Sequence, residues 1–184
     1  MFLHIRAAMR KRTYEELARK SVEEFRKSEK LSVIIVLDDV RSLHNVGAAF
    51  RTADAFSAEA IYLCGITGTP PHRDIHKAAL GATESVEWKY FEKTVDAVHH
   101  LKQIGFEVIA IEQAEGSISL EKFIPNKNSK YAFVFGNEMN GVSDEVLAIL
   151  DAAIEIPQSG TKHSLNISVS LGVVMWEIYK RLSL

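Results

Sequence analysis

The chain has 184 residues, 47% hydrophobic and 25% charged, with a formal net charge of −2. That suits one folded domain with a modest extension and excludes a disordered or fibrous chain. A single cysteine, Cys64, excludes an internal disulfide. No run approaches the roughly 20 apolar residues of a membrane span, and "MFLHIRAAMRKRTYEE" has no apolar signal-peptide core, so the expected setting is a reducing cytoplasm.

Charge is unevenly spread. Residues 1–30 hold nine Lys or Arg against five Glu, a net of +4, and the remainder carries a net of −6. Ala, Leu, Glu, Lys and Arg dominate residues 6–28, which predicts a helix there. Its basic side chains, Arg6, Arg10, Lys11, Arg12 and Arg19, belong either to a solvated amphipathic helix or to an arm that contacts nucleic-acid phosphates. The expected organisation is a basic helical extension over 1–30 and one domain over 31–184.

"LSVIIVLDDV" (31–40) is an apolar run rich in β-branched residues, the pattern of a strand buried on both faces of a parallel sheet. "NVGAAFRTADAFS" (45–57) has helical spacing, with Asn45 placed to cap its start. "AEAIYLCG" (58–65) reads as a strand and "HRDIHKAALGA" (72–82) as a short helix stopped at Gly81. "SVEWKYF" (85–91) is a third strand. "KTVDAVHHLKQIG" (93–105) is a helix, and "FEVIAIE" (106–112) and "KYAFVFG" (130–136) are strands. "SDEVLAILD" (143–151) is a helix with Ser143 at its N-cap and acidic residues in its first turn, where the dipole favours them. "AAIEIP" (152–157) is a last strand stopped by Pro157. "SLNISVSLGVVMWEIYKRL" (164–182) closes the chain as an amphipathic helix.

The alternation implies an α/β fold with a mostly parallel sheet and helices on both faces. Ligands of such sheets bind beyond the C-terminal ends of the strands. No G-x-G-x-x-G follows a strand, so a standard dinucleotide site is unsupported. "GNEMNG" (136–141) has phosphate-loop spacing but lacks the Lys-Ser/Thr that would complete it. His72 and His76, the adjacent His99 and His100, and the Asp38–Asp39 pair read better as surface, capping or turn residues than as metal ligands.

Three strand ends carry convergent polar residues. After the first strand come Asn45, small residues at 47–49, and Arg51 in the second helical turn. After "YAFVF" come Gly136, which permits close backbone approach, and the carboxylate of Glu138. After "AAIEI" come Pro157, Gly160, Ser164 and Asn166, at a predicted helix start whose free amides can bind acceptors.

Together, "NVGAAFRT" (45–52), "GNEMNG" (136–141) and "IPQSGTKHSLNISV" (156–169) resemble, in order and spacing, the three motifs of the SpoU (TrmH-like) family of the SPOUT superfamily. The resemblance covers about residues 31–182. It implies methyl transfer from S-adenosylmethionine to a ribose 2′-hydroxyl of tRNA or rRNA, without a metal, by a homodimer whose C-terminal segment forms a trefoil knot. By matching position, Phe135, Gly136, Asn137, Ile156, Gln158, Ser164, Leu165 and Asn166 hold the cofactor. Arg51 activates the hydroxyl or positions the adjacent phosphate, and so belongs with the RNA contacts. Asn45, Glu138, Ser164 and Asn166 orient it.

Met139–Asn140 and Gln158 depart from the commonest residues of those motifs, which bears on substrate fit. The compact layout resembles tRNA-directed members more than rRNA-directed ones. The competing reading is a non-catalytic RNA-binding or assembly factor that keeps the fold. A base methyltransferase of another SPOUT branch is disfavoured by the Asn/Arg first motif.

Overall fold

A computed structural model describes residues 9–13 and 15–184. Seven parallel strands form one sheet: β1 (Leu31–Asp38), β2 (Ala58–Cys64), β3 (Glu87–Phe91), β4 (Phe106–Ile111), β5 (Ile118–Ser119), β6 (Lys130–Phe135) and β7 (Ala152–Glu155). Their order is β3-β2-β1-β6-β4-β7-β5, so β7 is inserted between β4 and the two-residue edge strand β5. The helices are α1 (Val22–Lys27), α2 (Leu43–Ala55), α3 (Arg73–Ala79), α4 (Ala82–Ser85), α5 (Thr94–Gln103), α6 (Asp144–Leu147) and α7 (Ile167–Ser183).

Strand alternation sorts the core into two layers. Val33, Ile35 and Leu37 of β1 and Tyr131, Phe133 and Phe135 of β6 face α2 and α7. Ile34, Val36, Ala132 and Val134 face Ala97, Val98 and Leu101 of α5 and Val146 of α6. Both sheet faces are therefore covered, which explains why the central strands are apolar at consecutive positions.

Two helices meet closely because α2 carries Gly47. A Cβ there would lie 2.5 Å from the Ile75 carbonyl oxygen and 2.6 Å from the Ala78 Cβ of α3. This approach anchors the start of α2, from which the first motif projects.

The helix expected over 6–28 is corrected. Arg6 lies outside the described residues. Residues 9–13 have no regular structure, Glu15–Leu17 form a 3-10 turn, and α1 spans only Val22–Lys27. Each start is nucleated by its own reciprocal cap. The Thr13 amide donates to Glu16 (2.9 Å) while Thr13 Oγ1 accepts from the Glu16 amide (3.4 Å). Ser21 and Glu24 repeat this pattern at 2.7 and 3.3 Å. Such boxes mark helix starts, so one continuous helix is divided in two. Phe25 of α1 is buried in the main core and Arg26 donates to the Glu84 carbonyl, so α1 packs on α4.

Smaller boundaries also shift. Ser85 belongs to α4 rather than to β3, where its hydroxyl bonds Asp54 at 2.5 Å. Leu80, with φ 51°, ends α3 one residue before Gly81. Ser143 makes no side-chain cap on α6. The last helix begins at Ile167, because the Asn166 side chain accepts from the Ser168 amide at 2.9 Å. Among the described residues no helix is long and apolar enough to cross a membrane.

Candidate functional site

The site grows from the C-terminal ends of β4, β6 and β7, beside the start of α2. Gly136 follows β6 directly. A Cβ on it would overlap the Gly141 carbonyl carbon and the Val142 nitrogen, so the chain can turn back on itself only with glycine here. Asn137 and Gly141 then exchange two backbone hydrogen bonds, both 2.9 Å. The Asn137 side chain is spent on shape: Nδ2 donates to the Asp39 carbonyl (2.7 Å) and Oδ1 accepts from the Met139 amide (2.9 Å).

This turn presents Glu138 to the N-terminus of α2. The carboxylate accepts from the Arg41 and Ser42 amides, both at 3.1 Å, and from Asn45 Nδ2 at 3.0 Å. Partial burial pushes the Glu138 pKa up. The bonds from Arg41, Asn45 and Ser42 outweigh that, and its carboxyl sits below the ordinary range. Asn45 is thus not the helix cap. Ser42 holds that position, accepting from the Asn45 amide at 3.3 Å, which frees the Asn45 side chain for Glu138. Asn45 Oδ1 in turn accepts from Asn166 Nδ2 at 3.4 Å. One polar chain, Glu138–Asn45–Asn166, therefore joins all three motifs.

Behind it, Asp38 is buried. It accepts from the Thr94 hydroxyl and from the Ser143 amide (3.2 Å), and burial pushes its pKa up against those bonds. Asp39 accepts from the Ile66 amide at 2.9 Å. Both aspartates serve as turn braces. Cys64 is buried and its thiol is pushed up to about 12, mainly by desolvation, so it is inert at neutral pH.

The three loops enclose a cavity of about 530 Å³. Phe135, Gly136, Asn137, Ile156, Gln158, Ser164, Leu165 and Asn166 all line it, together with Glu138. Its ionisable lining comprises Glu112, Glu138, Glu155 and His163, without Lys or Arg. Such a wall suits a ligand bearing positive charge. Residues 157–166 are exposed throughout.

Arg51 and Asn45 are not part of the cavity wall. Arg51 is exposed on α2, and its guanidinium makes no hydrogen bond or ion pair among the described residues. On the arm, Lys11, Arg12 and Arg19 are exposed, while Arg10 pairs with Glu16 at 2.6 and 2.9 Å. His72 caps α3 by accepting from the Asp74 amide (3.2 Å), and His100 stacks on Tyr62.

Glu112 and Gln113, at the end of β4, escaped the sequence reading. Glu112 Oε2 accepts from the Val142 amide (3.0 Å), and Gln113 Nε2 donates to the His163 carbonyl (2.9 Å). The signal was available: β4 also ends at the ligand-binding edge of the sheet.

An all-parallel sheet with a cavity walled by loops from three strand ends defines a ligand-binding α/β protein. The chain belongs to the SpoU rRNA Methylase family, whose profile matches residues 32–176. It is 31% identical over 173 residues to a tRNA (guanosine(18)-2′-O)-methyltransferase of Thermus thermophilus, covering 94% of this chain and 86% of that one. The fold is similar to a crystal structure of an AdoMet-bound rRNA methyltransferase from Sinorhizobium meliloti, with TM-score 0.77 and 27% identity over 86% of this chain. This chain spans 60% of that larger protein. It is also similar to a TrmH/SpoU tRNA-modifying enzyme of Aquifex aeolicus, with TM-score 0.76 and 28% identity, covering 87% of this chain and 79% of that one.

Proposed function

We propose that the protein transfers the methyl group of S-adenosylmethionine to a ribose 2′-hydroxyl of RNA, with tRNA favoured over rRNA. The observation that carries this reading is the Glu138–Asn45–Asn166 chain, which assembles the three family motifs around one acidic cavity. The tRNA preference rests on the Thermus relative, which this chain matches over most of both lengths.

The residues present fit the cofactor. A cavity of about 530 Å³ is in the range that holds a molecule of this size. Phe135, Ile156 and Leu165 offer apolar surface to adenine. The exposed backbone of 157–165 offers main-chain groups to its edge. Gly136 keeps the loop close, and Glu138, held ionised, complements a sulfonium. When bound, S-adenosylmethionine supplies an electrophilic methyl carbon.

The protein's part is alignment and charge. A ribose hydroxyl is a weak nucleophile and must lose its proton as it attacks. Holding it in line with the methyl carbon supplies much of the rate. Arg51 normally stays protonated, so its role is to bind the neighbouring phosphate and stabilise the developing oxyanion. Its guanidinium, without a hydrogen bond or ion pair among the described residues, is available for that. Asn45, Glu138 and Asn166 set the geometry of α2 relative to the loops, with Ser164 on the cavity wall.

The same reading has the 156–166 loop and α7 forming a trefoil knot. It has a homodimer formed through the exposed Val169, Val173 and Trp176 of α7, a cytoplasmic setting, and an RNA-contacting arm with Arg6, Arg10, Lys11, Arg12 and Arg19 ahead of a domain over 31–184. Calorimetry with S-adenosylmethionine, paired with mapping of 2′-O-methylated positions in RNA from a deletion strain, tests the activity. Binding and one lost methylation are expected. No binding, or an unchanged methylation map, overturns it.

A further inference from the structure

The dipeptide Glu112–Gln113, at the end of β4, grips both of the other loops that enclose the cavity. Glu112 receives the Val142 amide from the 136–142 turn, and a Cβ at Gly141 would collide with the Glu112 carboxylate. Gln113 reaches the other way, to the His163 carbonyl at 2.9 Å. The 157–165 segment has no buried residue. Among the described residues its sole hydrogen bond to the rest of the chain is the one from Gln113. Among the described residues, this nine-residue exposed loop, flanked by β7 and the Asn166 cap, thus has one side-chain hydrogen bond to hold it over the cavity.

We propose that Gln113 is a positioning residue for the cofactor loop. Its amide holds residues 157–165 in the cofactor-competent arrangement before binding and slows cofactor release afterwards. This rests on the S-adenosylmethionine reading of the cavity. A loop already ordered loses less conformational freedom on binding. A single bond of modest strength can also open within a catalytic cycle, so the same contact allows product release.

The expected magnitude is that of one partly exposed hydrogen bond, about a three- to ten-fold change in release rate. Gln113 is exposed and makes no other side-chain hydrogen bond among the described residues, so its replacement is expected to leave the thermal unfolding midpoint essentially unchanged.

The test compares the full chain with Gln113→Ala, the near-isosteric Gln113→Glu, which replaces the donor by an acceptor, and Gln113→Lys, which keeps a donor at similar reach. Stopped-flow release of S-adenosylhomocysteine is expected to be faster in Gln113→Ala and Gln113→Glu, with association nearly unchanged and Gln113→Lys restoring most of the slow release. Amide hydrogen exchange of ligand-free protein is expected to rise in 157–165 and nowhere else. Wild-type binding with identical release and exchange in all variants overturns the proposal while leaving the cofactor site intact. Absence of ligand binding by wild type defeats the cofactor reading, and exchange at 157–165 then decides separately whether Gln113 holds the loop.

Discussion

Asn45 donates to Glu138 at 3.0 Å across 93 residues of sequence and, through its other amide atom, accepts from Asn166 at 3.4 Å. A carboxamide is suited to this post because it is donor and acceptor at once. An aspartate would place a second carboxylate against Glu138, and a leucine would leave Glu138 with its two backbone donors only. Asn45→Asp is therefore expected to weaken S-adenosylmethionine binding more than Asn45→Ala. Calorimetry on both variants checks this order.

Glu138 links the site to pH. Its pKa lies below the ordinary value of 4.5 in the folded protein, so the unfolded chain takes up this proton first as pH falls. Its contribution to stability is present above about pH 4.5 and is lost as the pH falls through the lower folded value. The group is exposed and screened by solvent, so the effect is expected to be a small part of the total stability. Urea unfolding between pH 6 and pH 3 should show wild type losing more stability than Glu138→Gln. Parallel curves would separate Glu138 from that loss.

Gly136 leaves no room for accommodation, because the atoms that a Cβ would meet are backbone rather than a flexible side chain. Gly136→Ala is expected to cost about 1–3 kcal/mol and to open the turn that carries Glu138. Thermal unfolding and cofactor titration should both move. A variant with wild-type behaviour in both would show that the turn has another way to close.

Arg51 offers the opposite expectation. It supports nothing structural among the described residues, so Arg51→Ala should keep stability within about 0.5 kcal/mol and retain cofactor binding. Single-turnover methylation should fall by about 10²-fold or more, the scale of losing one transition-state charge contact. Arg51→Lys should recover little if the contact is bidentate. Full activity in Arg51→Ala removes this residue from the chemistry.

The arm is best tested by charge rather than by deletion, because Phe25 is part of the core and truncation to residue 28 would damage the fold. Replacing Lys11, Arg12 and Arg19 with Gln should flatten the dependence of log affinity for tRNA on log salt by up to about 2 to 3 slope units. An unchanged slope assigns those residues to solvent.

Much of the fold was legible because the central strands are buried on both faces and read as continuous β-branched runs. The candidate site residues at 135–138 and 156–166 were named from the motif resemblance, and of these Phe135–Glu138, Ile156, Gln158 and Ser164–Asn166 line one cavity. What stayed hidden depended on competition between neighbours. Ser42 and Asn45 are both good caps, and only the position of Glu138 decides that Ser42 caps while Asn45 reaches outward. The Thr13–Glu16 and Ser21–Glu24 boxes were visible as spacing, yet the helix-forming composition of 6–28 overshadowed them. β5 is two residues long and owes its existence to the edge of β7. Gln113 carries no motif, and its partner is a backbone carbonyl 50 residues away.

The placement of β7 between β4 and β5 has a consequence for synthesis on the ribosome. Every other strand precedes β7 in the chain, and β5 pairs with β7 alone, so until β7 docks the β4 edge is unpaired on that side. Exposed strand rims recruit foreign strands. The four residues of β7, which pairs with that edge, come directly before the loop that lines the cavity, so closing the sheet and placing the cavity loop depend on one short segment.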